Sequence, residues 1–310
     1  MRAGLTLIPT SRVPGCGSGH PAARPRYGDP VRPTSPRPAP AYLTDSVPAR
    51  RGHPLGFAHR GAAGDRENSL AAFVDAHAAG FTYLELDVRT TADGELVVFH
   101  DDTLDRVSTG RGRLRDHTWE RLADVTVGGE PLLRFAELLT ALPEARLNVD
   151  LKDRASAPAL ARILAEHGAW DRVLVASFHD SRRRLFRRAL ARLGHPERAY
   201  GPERVATSGG AAAIAALVTL GPLGLTRWLR RCALDVDCVQ VPVRHGRVPV
   251  ATADFVRRCH AAGLPVHVWV VDEPAEIERL LDLGVDGIMT DRTDLLRQVL
   301  QERGQWKEPA

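Results

Sequence analysis

TYLELDV, residues 82–88, sets Leu84, Leu86 and Val88 in alternation with Glu85 and Asp87. Residues i and i+2 of a strand share a face about 6.5–7 Å apart, so the two carboxylates project together while the leucines pack against a layer of helices. RLNVDLK, residues 146–152, repeats the device: Asn148, Asp150 and Lys152 share one face, Val149 and Leu151 the other. Buried inside a sheet that closes on itself, such charges must compensate one another or bind an ion and a phosphate.

Outward from these two stretches, short apolar runs alternate with amphipathic ones from residue 55 onward, the pattern of strand then helix, repeated. The runs predict strands at 55–59, 82–88, 95–100, 146–151, 172–177, 198–201, 237–241, 265–270 and 285–289, with 95–100 an extension or hairpin partner of its neighbour. Helices are predicted at 68–79, 118–123, 134–141, 156–167, 181–193, 203–219, 252–262, 273–283 and 292–302, several opened by Ser, Thr or Asp. This is an α/β chain, and its repeat approaches the eightfold one of a TIM barrel. A doubly wound open sheet is the alternative, but no GxGxxG or P-loop turn follows any strand. Polar residues sit instead at the ends of several different strands, as a barrel active site requires.

Residues 1–54 read differently. They hold 11 of the 22 prolines, with eight Arg against two Asp, and lack apolar periodicity, so a disordered extension is expected. The expected divisions are this extension, a barrel domain over 55–303 and a short tail over 304–310. The extension's charge of +6 leaves the rest of a chain of net +4 at −2, which argues against a nucleic-acid footprint on the folded part. Pro9 and Pro14 interrupt the one candidate for a secretory leader. Cys16, Cys232, Cys238 and Cys259 show neither metal-ligand spacing nor a disulfide framework, and a cytoplasmic location is expected. Residues 209–229 are uncharged until Arg227 and broken by Gly221, Pro222 and Gly224. They predict a helix, a break and a second short helix, either covered as a barrel helix or touching lipid peripherally.

Two carboxylates spaced like Glu85 and Asp87 can share one divalent ion, and hard oxygen donors favour Mg²⁺ or Ca²⁺. The same alternation also fits an edge strand with one wet face. His59 ends the first strand in FAHRG, and His100 ends another in VVFHDD. Either alone reads as a satisfied loop residue; beside a carboxylate cluster the two read as general acid and base, since imidazole titrates near neutrality. Arg60 adds a planar fork suited to a phosphate.

The run HRG (59–61), EN (67–68), ELD (85–87), DG (93–94) and HD (100–101) resembles the signature of the glycerophosphodiester phosphodiesterase family in order and spacing. LDR (104–106) with TG (109–110), NVDLK (148–152), SF (177–178), VWVVD (268–272) and DGIMTDR (286–292) extend the resemblance to about residue 300. It implies a metal-dependent TIM-barrel hydrolase that cleaves a small glycerophosphodiester to sn-glycerol 3-phosphate and an alcohol. By that likeness Glu85, Asp87 and Asp150 hold Ca²⁺ or Mg²⁺, and His59 and His100 are acid and base. Arg60 and Lys152 neutralise the phosphate, Trp269 packs beside the glycerol, and Asn68 orients a ligand from behind. The family pattern carries Glu where this chain has Asp150, and an arm shorter by one methylene leaves the choice of metal open. Two other functions fit the same residues: a lysophospholipase D-like enzyme whose segment 209–229 admits an acyl chain, and a silent barrel that only binds a phosphodiester.

Overall fold

In the computed structural model, which describes residues 38–46 and 53–307, eight strands form the inner layer. They are β1 (Leu55–His59), β2 (Tyr83–Thr90), β3 (Arg146–Leu151), β4 (Val173–Ala176), β5 (Ala206–Gly209), β6 (Cys238–Pro242), β7 (Val266–Trp269) and β8 (Gly287–Thr290). Each is parallel to the next. β8 pairs in parallel with β1, so the sheet closes as the barrel the alternating runs predict. In β2 and β3 the aliphatic set (Leu84, Leu86, Val88, Val149, Leu151) faces outward into the main core beneath the helices. Helices α1 (Leu70–Ala78), α2 (Phe135–Ala141), α3 (Ser156–His167), α4 (Asp180–Arg192), α5 (Pro196–Tyr200), α6 (Ala211–Leu220), α7 (Thr226–Cys232), α8 (Ala253–Ala261), α9 (Pro274–Asp282) and α10 (Thr293–Glu302) supply the other side of that core.

The predicted strand at 95–100 is a hairpin partner outside the barrel: Leu96–Val98 runs antiparallel to the end of β2. It opens an excursion, residues 91–134, with its own small core of Val97, Phe99, Leu104, Leu114, Leu122, Val127 and Leu132. Residues 118–123, expected as a helix, form only a 3₁₀ turn at Glu120–Leu122.

Two expectations around β5 fail for one reason. Residues 198–201 are the end of α5, which Pro196 opens, and the strand lies at Ala206–Gly209, inside the helix predicted over 203–219. The sequence ATSG has no apolar run to announce it. Its place is set by distant charges: the Asp237 carboxylate accepts from the Thr207 N–H (2.9 Å) and from Arg204 Nε (2.8 Å), while Arg187 Nη2 donates to Thr207 Oγ1 (2.8 Å). These groups are all nearly inaccessible to solvent, so their mutual hydrogen bonding is what makes the burial tolerable. The helix–break–helix expected at 209–229 is present as α6, a 3₁₀ turn at Gly221–Leu223, and α7.

Disorder over 1–54 is corrected where it can be compared, residues 1–37 and 47–52 lying outside the described residues, as do 308–310 of the expected tail. Ala41–Ser46 forms a 3₁₀ turn whose Tyr42 and Leu43 are each 1% exposed. They pack with Leu55, Phe57, Tyr83, Leu174, Ala206, Cys238 and Met289 inside the barrel. Arg146 Nη1 donates to the carbonyls of Ala41 and Tyr42 at 2.9 Å each, and Arg204 Nη1 to that of Pro38 at 3.2 Å. A proline-rich composition conceals this plug, because two apolar residues make no periodic pattern. At the other end, Trp306 packs on Phe81 with ring centroids 5.1 Å apart, so the domain runs past residue 303.

Replacing Tyr42 by Ala is expected to cost about 3 kcal/mol in urea unfolding, as for other buried aromatic truncations. Tyr42→Phe should cost less than about 1 kcal/mol, since its hydroxyl has no hydrogen-bond partner among the described residues.

Candidate active site

β1 ends at His59, and the chain then turns sharply back over the barrel mouth. Arg60 (φ 51°), Ala62 (φ 53°) and Asn68 (φ 61°) all adopt left-handed backbone, at about 1–2 kcal/mol each. Hydrogen bonds hold the turn: Arg60 N–H to the Glu85 carbonyl (2.9 Å), Ala62 N–H to that of His59 (2.7 Å), and Asn68 N–H to that of Arg60 (2.9 Å). Gly61 (φ 81°) is packed so closely on α1 that a Cβ would lie 2.7 Å from Ala72 Cβ. The strained turn delivers two side chains, those of Arg60 and Asn68, to the β2 carboxylate Asp87. Arg60 Nε lies 3.0 Å from Asp87 Oδ2, and its Nη1 lies 3.1 Å from Glu67 Oε1. Asn68 Nδ2 donates to Asp87 Oδ2 (3.0 Å), and the Asp87 N–H donates back to Asn68 Oδ1 (3.3 Å).

Asp87 and Asp150 are register partners on β2 and β3. Lys152 Nζ sits between them, 2.9 Å from Asp87 Oδ1 and 2.6 Å from Asp150 Oδ2. Burial alone would raise the Asp87 carboxyl, yet Lys152 and Arg60 outweigh it and hold the group below the usual carboxylate range. Lys152 is raised in turn: burial works against its charge, but Asp150 and Asp87 prevail. At Glu85 burial and the like charge of Asp87 outweigh the opposing pull of His59 and Lys152 and push the carboxyl up to about 7.

Each histidine is held at one nitrogen. His59 Nδ1 donates to Asp291 Oδ1 (2.8 Å), and its Nε2 lies 3.7 Å from Glu85 Oε2. Burial lowers this imidazole, but Glu85 and Asp291 more than reverse it and the pKa is raised. Asp272 steadies the segment that bears Asp291: its Oδ1 accepts from the Asp291 N–H and from Thr290 Oγ1, each at 2.8 Å. His100 Nδ1 donates to Asp101 Oδ1 at 2.5 Å. Arg106 Nε binds the other oxygen of Asp101 at 2.5 Å, and Arg106 Nη2 reaches Glu67 Oε1 at 2.7 Å. That guanidinium, followed by burial in the opposite sense and the bond from His100, sets Asp101 at about 2.

His59, Arg60, Glu85, Asp87, His100, Asp150, Lys152 and Trp269 thus all line one cavity of about 620 Å³, with Asn68 behind Asp87. Metal fit can be judged from the donors. All three carboxylates offer hard oxygens, Asp150 Oδ1 is buried without a hydrogen-bond partner, and burial and the like charge of Asp87 hold Glu85 well above its ordinary value. That donor set suits Ca²⁺ or Mg²⁺. Among the described residues, however, no three of His, Cys, Asp and Glu already converge as a ligand set, because Lys152 holds Asp87 and Asp150.

Residues 59–295 match the sequence model of the glycerophosphoryl diester phosphodiesterase family, a span that contains every one of these groups. The chain belongs to that family. It is an enzyme of the phosphodiesterase class. A probable glycerophosphodiester phosphodiesterase 2 of Mycobacterium tuberculosis is 41% identical over 260 residues, covering 83% of this chain and 94% of that protein. A glycerophosphodiester phosphodiesterase of Caldanaerobacter subterraneus is 28% identical over 269 residues, covering 81% of this chain and 99% of that protein. The fold is shared with a putative glycerophosphoryl diester phosphodiesterase of Silicibacter pomeroyi (TM-score 0.64, 22% identity, 85% of this chain and 98% of the other). An Oleispira antarctica phosphodiesterase solved with the product sn-glycerol-3-phosphate is also similar (TM-score 0.63, 22% identity, 80% and 97%).

Within this glycerophosphoryl diester phosphodiesterase, Glu67, Asp101, Arg106, Asp272 and Asp291 stand in the same network, and spacing assigned none of them a part. All five fall inside the motif pieces EN, HD, LDR, VWVVD and DGIMTDR, which was the available signal. Their partners lie up to 232 residues away along the chain, so only contact reveals what they do. Arg106 couples the β1 turn, through Glu67, to the His100 segment, through Asp101. Arg106→Ala is therefore expected to lower kcat on glycerophosphocholine by about 10- to 100-fold, as loss of a supporting contact does elsewhere. KM and the melting temperature should change little, and kinetics with a thermal melt checks both.

Proposed function

We propose that the chain hydrolyses small glycerophosphodiesters to sn-glycerol 3-phosphate and an alcohol, with His59 and His100 as general acid and base. The observation that carries this is the convergence of two imidazoles, each fixed at Nδ1 by a carboxylate, on a cavity that also holds Arg60 and Lys152. A carboxylate at Nδ1 leaves Nε2 as the atom that exchanges a proton with the cavity. One Nε2 takes the proton of the attacking hydroxyl as its oxygen bonds to phosphorus. The other gives a proton to the departing alkoxide as the P–O bond breaks. Arg60 and Lys152 oppose the charge on the phosphate oxygens, Trp269 covers the glycerol carbons, and Asn68 keeps Asp87 in position. Glu85, Asp87 and Asp150 would hold Ca²⁺ or Mg²⁺, which when bound neutralises phosphate charge and polarises the phosphoryl group. The product bound by the Oleispira antarctica phosphodiesterase supports the same substrate class.

Peripheral contact with a lipid surface through residues 209–229 belongs with this function. Leu220, Leu223, Leu225 and Trp228 are exposed there, next to Arg227 and Arg231, a combination that suits an anionic interface. Among the described residues no helix is long and apolar enough to cross a membrane.

Glycerol 3-phosphate release from glycerophosphocholine should stop in EDTA and return with Ca²⁺ or Mg²⁺. His59→Ala and His100→Ala should each lower kcat by about 10²- to 10⁴-fold with folding unchanged. Near wild-type turnover in either variant removes that histidine from the chemistry. Release that EDTA leaves untouched removes the metal.

A further inference from the structure

Gln240, Ser208 and Asn148 line the active-site cavity and take no part in the steps proposed above. They are 7%, 1% and 2% exposed and come from β6, β5 and β3. A buried amide or hydroxyl is ordinarily hydrogen-bonded, yet Gln240 Nε2 and Asn148 Oδ1 have no partner among the described residues. Ser208 Oγ has only the thiol of Cys238 beside it, a weak partner, and Asn148 Nδ2 only the Met289 sulfur at 3.9 Å. Three neutral side chains thus leave a donor, an acceptor and a group of both kinds unmet in one space. Register places that space relative to the chemistry. Asn148 pairs with Glu85 and precedes Asp150 by two residues, so it lies on the same face one step below the carboxylates. Gln240 pairs with His267, and Trp269 follows two residues later on that face of β7, so the indole stands one step above it. β4 and β5 end in Ala176 and Gly209, which border the space without filling it.

We propose that Gln240, Ser208 and Asn148 form a seat that reads hydroxyls: it binds a vicinal diol on an alcohol joined to the phosphate, and so sets which diesters are preferred. The inference rests on the hydrolase function proposed above and names what its substrates must carry. Two hydroxyls supply two donors and several acceptors, enough for an amide N–H, an amide oxygen and a serine hydroxyl. A quaternary ammonium supplies neither and would leave all three groups unmet. The diol is the substrate's own glycerol or that of a polyol head group, since both present the same chemistry to the seat. A substrate that lacks one hydroxyl leaves a buried group of the protein unpaired, and such a loss discriminates far more strongly than a missing methylene.

The test measures phosphomonoester release, with Ca²⁺ or Mg²⁺ supplied, from two pairs of diesters. The first pair is glycerophosphocholine and 2-hydroxypropyl phosphocholine, which lacks only the terminal hydroxyl. The second is glycerophosphoglycerol and glycerophosphopropanol, whose head group lacks the diol. Wild type is expected to favour the hydroxylated member of one pair by about 10- to 100-fold in kcat/KM. Gln240→Leu and Ser208→Ala should each cut that preference at least about threefold, and the double variant should all but abolish it. A preference within the first pair assigns the seat to the glycerol, one within the second to the head group. Each preference is a ratio within one preparation, so a lower folded fraction cancels from it; should the double variant not fold, Ser208→Ala, which removes a single oxygen, decides. A wild type that hydrolyses both members of each pair equally well, or a preference that the variants leave intact, overturns the seat and leaves the hydrolase function standing. No release from any of the four diesters removes both.

Discussion

A carboxylate that is 1% exposed inside a barrel is the constraint around which the upper half of this protein is arranged. Asp87 can keep its charge only because Lys152, Arg60 and Asn68 reach it from two different segments. Lys152 comes from the end of β3, directly beside β2, and needs nothing but register. Arg60 and Asn68 come from the turn after β1, and they reach Asp87 only because that turn accepts three left-handed residues besides its glycines. The strain and the buried charge therefore support one another: a relaxed turn would withdraw the cation, and without the anion nothing would hold the turn.

From Asp87 the network spreads outward without a gap. Arg60 contacts Glu67, Glu67 contacts Arg106, and Arg106 contacts Asp101, which holds His100. The excursion between β2 and β3 is fastened at the mouth by these charges, while its own apolar cluster keeps it folded. Precision in the site thus comes from interlocked hydrogen bonds on a rigid sheet rather than from any single strong contact.

Beneath the charged layer the barrel is filled by Phe57, Tyr83, Leu174 and Met289, and closed by Tyr42 and Leu43. This apolar floor keeps solvent from approaching the carboxylates from below, which is one reason that Glu85 shifts to about 7 rather than staying near its ordinary value. His267 lies wholly buried in the same interior, and burial lowers its imidazole to about 4, so it stays neutral beside the titrating site.

Alternation in TYLELDV and RLNVDLK was enough to determine which face of β2 and β3 holds charge, because side-chain direction in a strand depends only on parity. The repeat of apolar runs likewise determined the barrel, and the motif pieces the family. Residues whose neighbours are near in sequence, such as the strand at 55–59 or the break at 221–224, were legible for the same reason. What only the tertiary structure decided are the features whose partners are remote: β5, held by Asp237 and Arg187 rather than by its own ATSG; the plug at Tyr42 and Leu43, hidden in a proline-rich stretch; and Asp291 on His59, Arg106 on Glu67. An apolar stripe on α6 was visible as composition, but that it borders the cavity, with Ile214 and Val218 also touching the core, is a matter of packing. Local periodicity records the direction of a side chain, and closure of the barrel decides what that side chain meets.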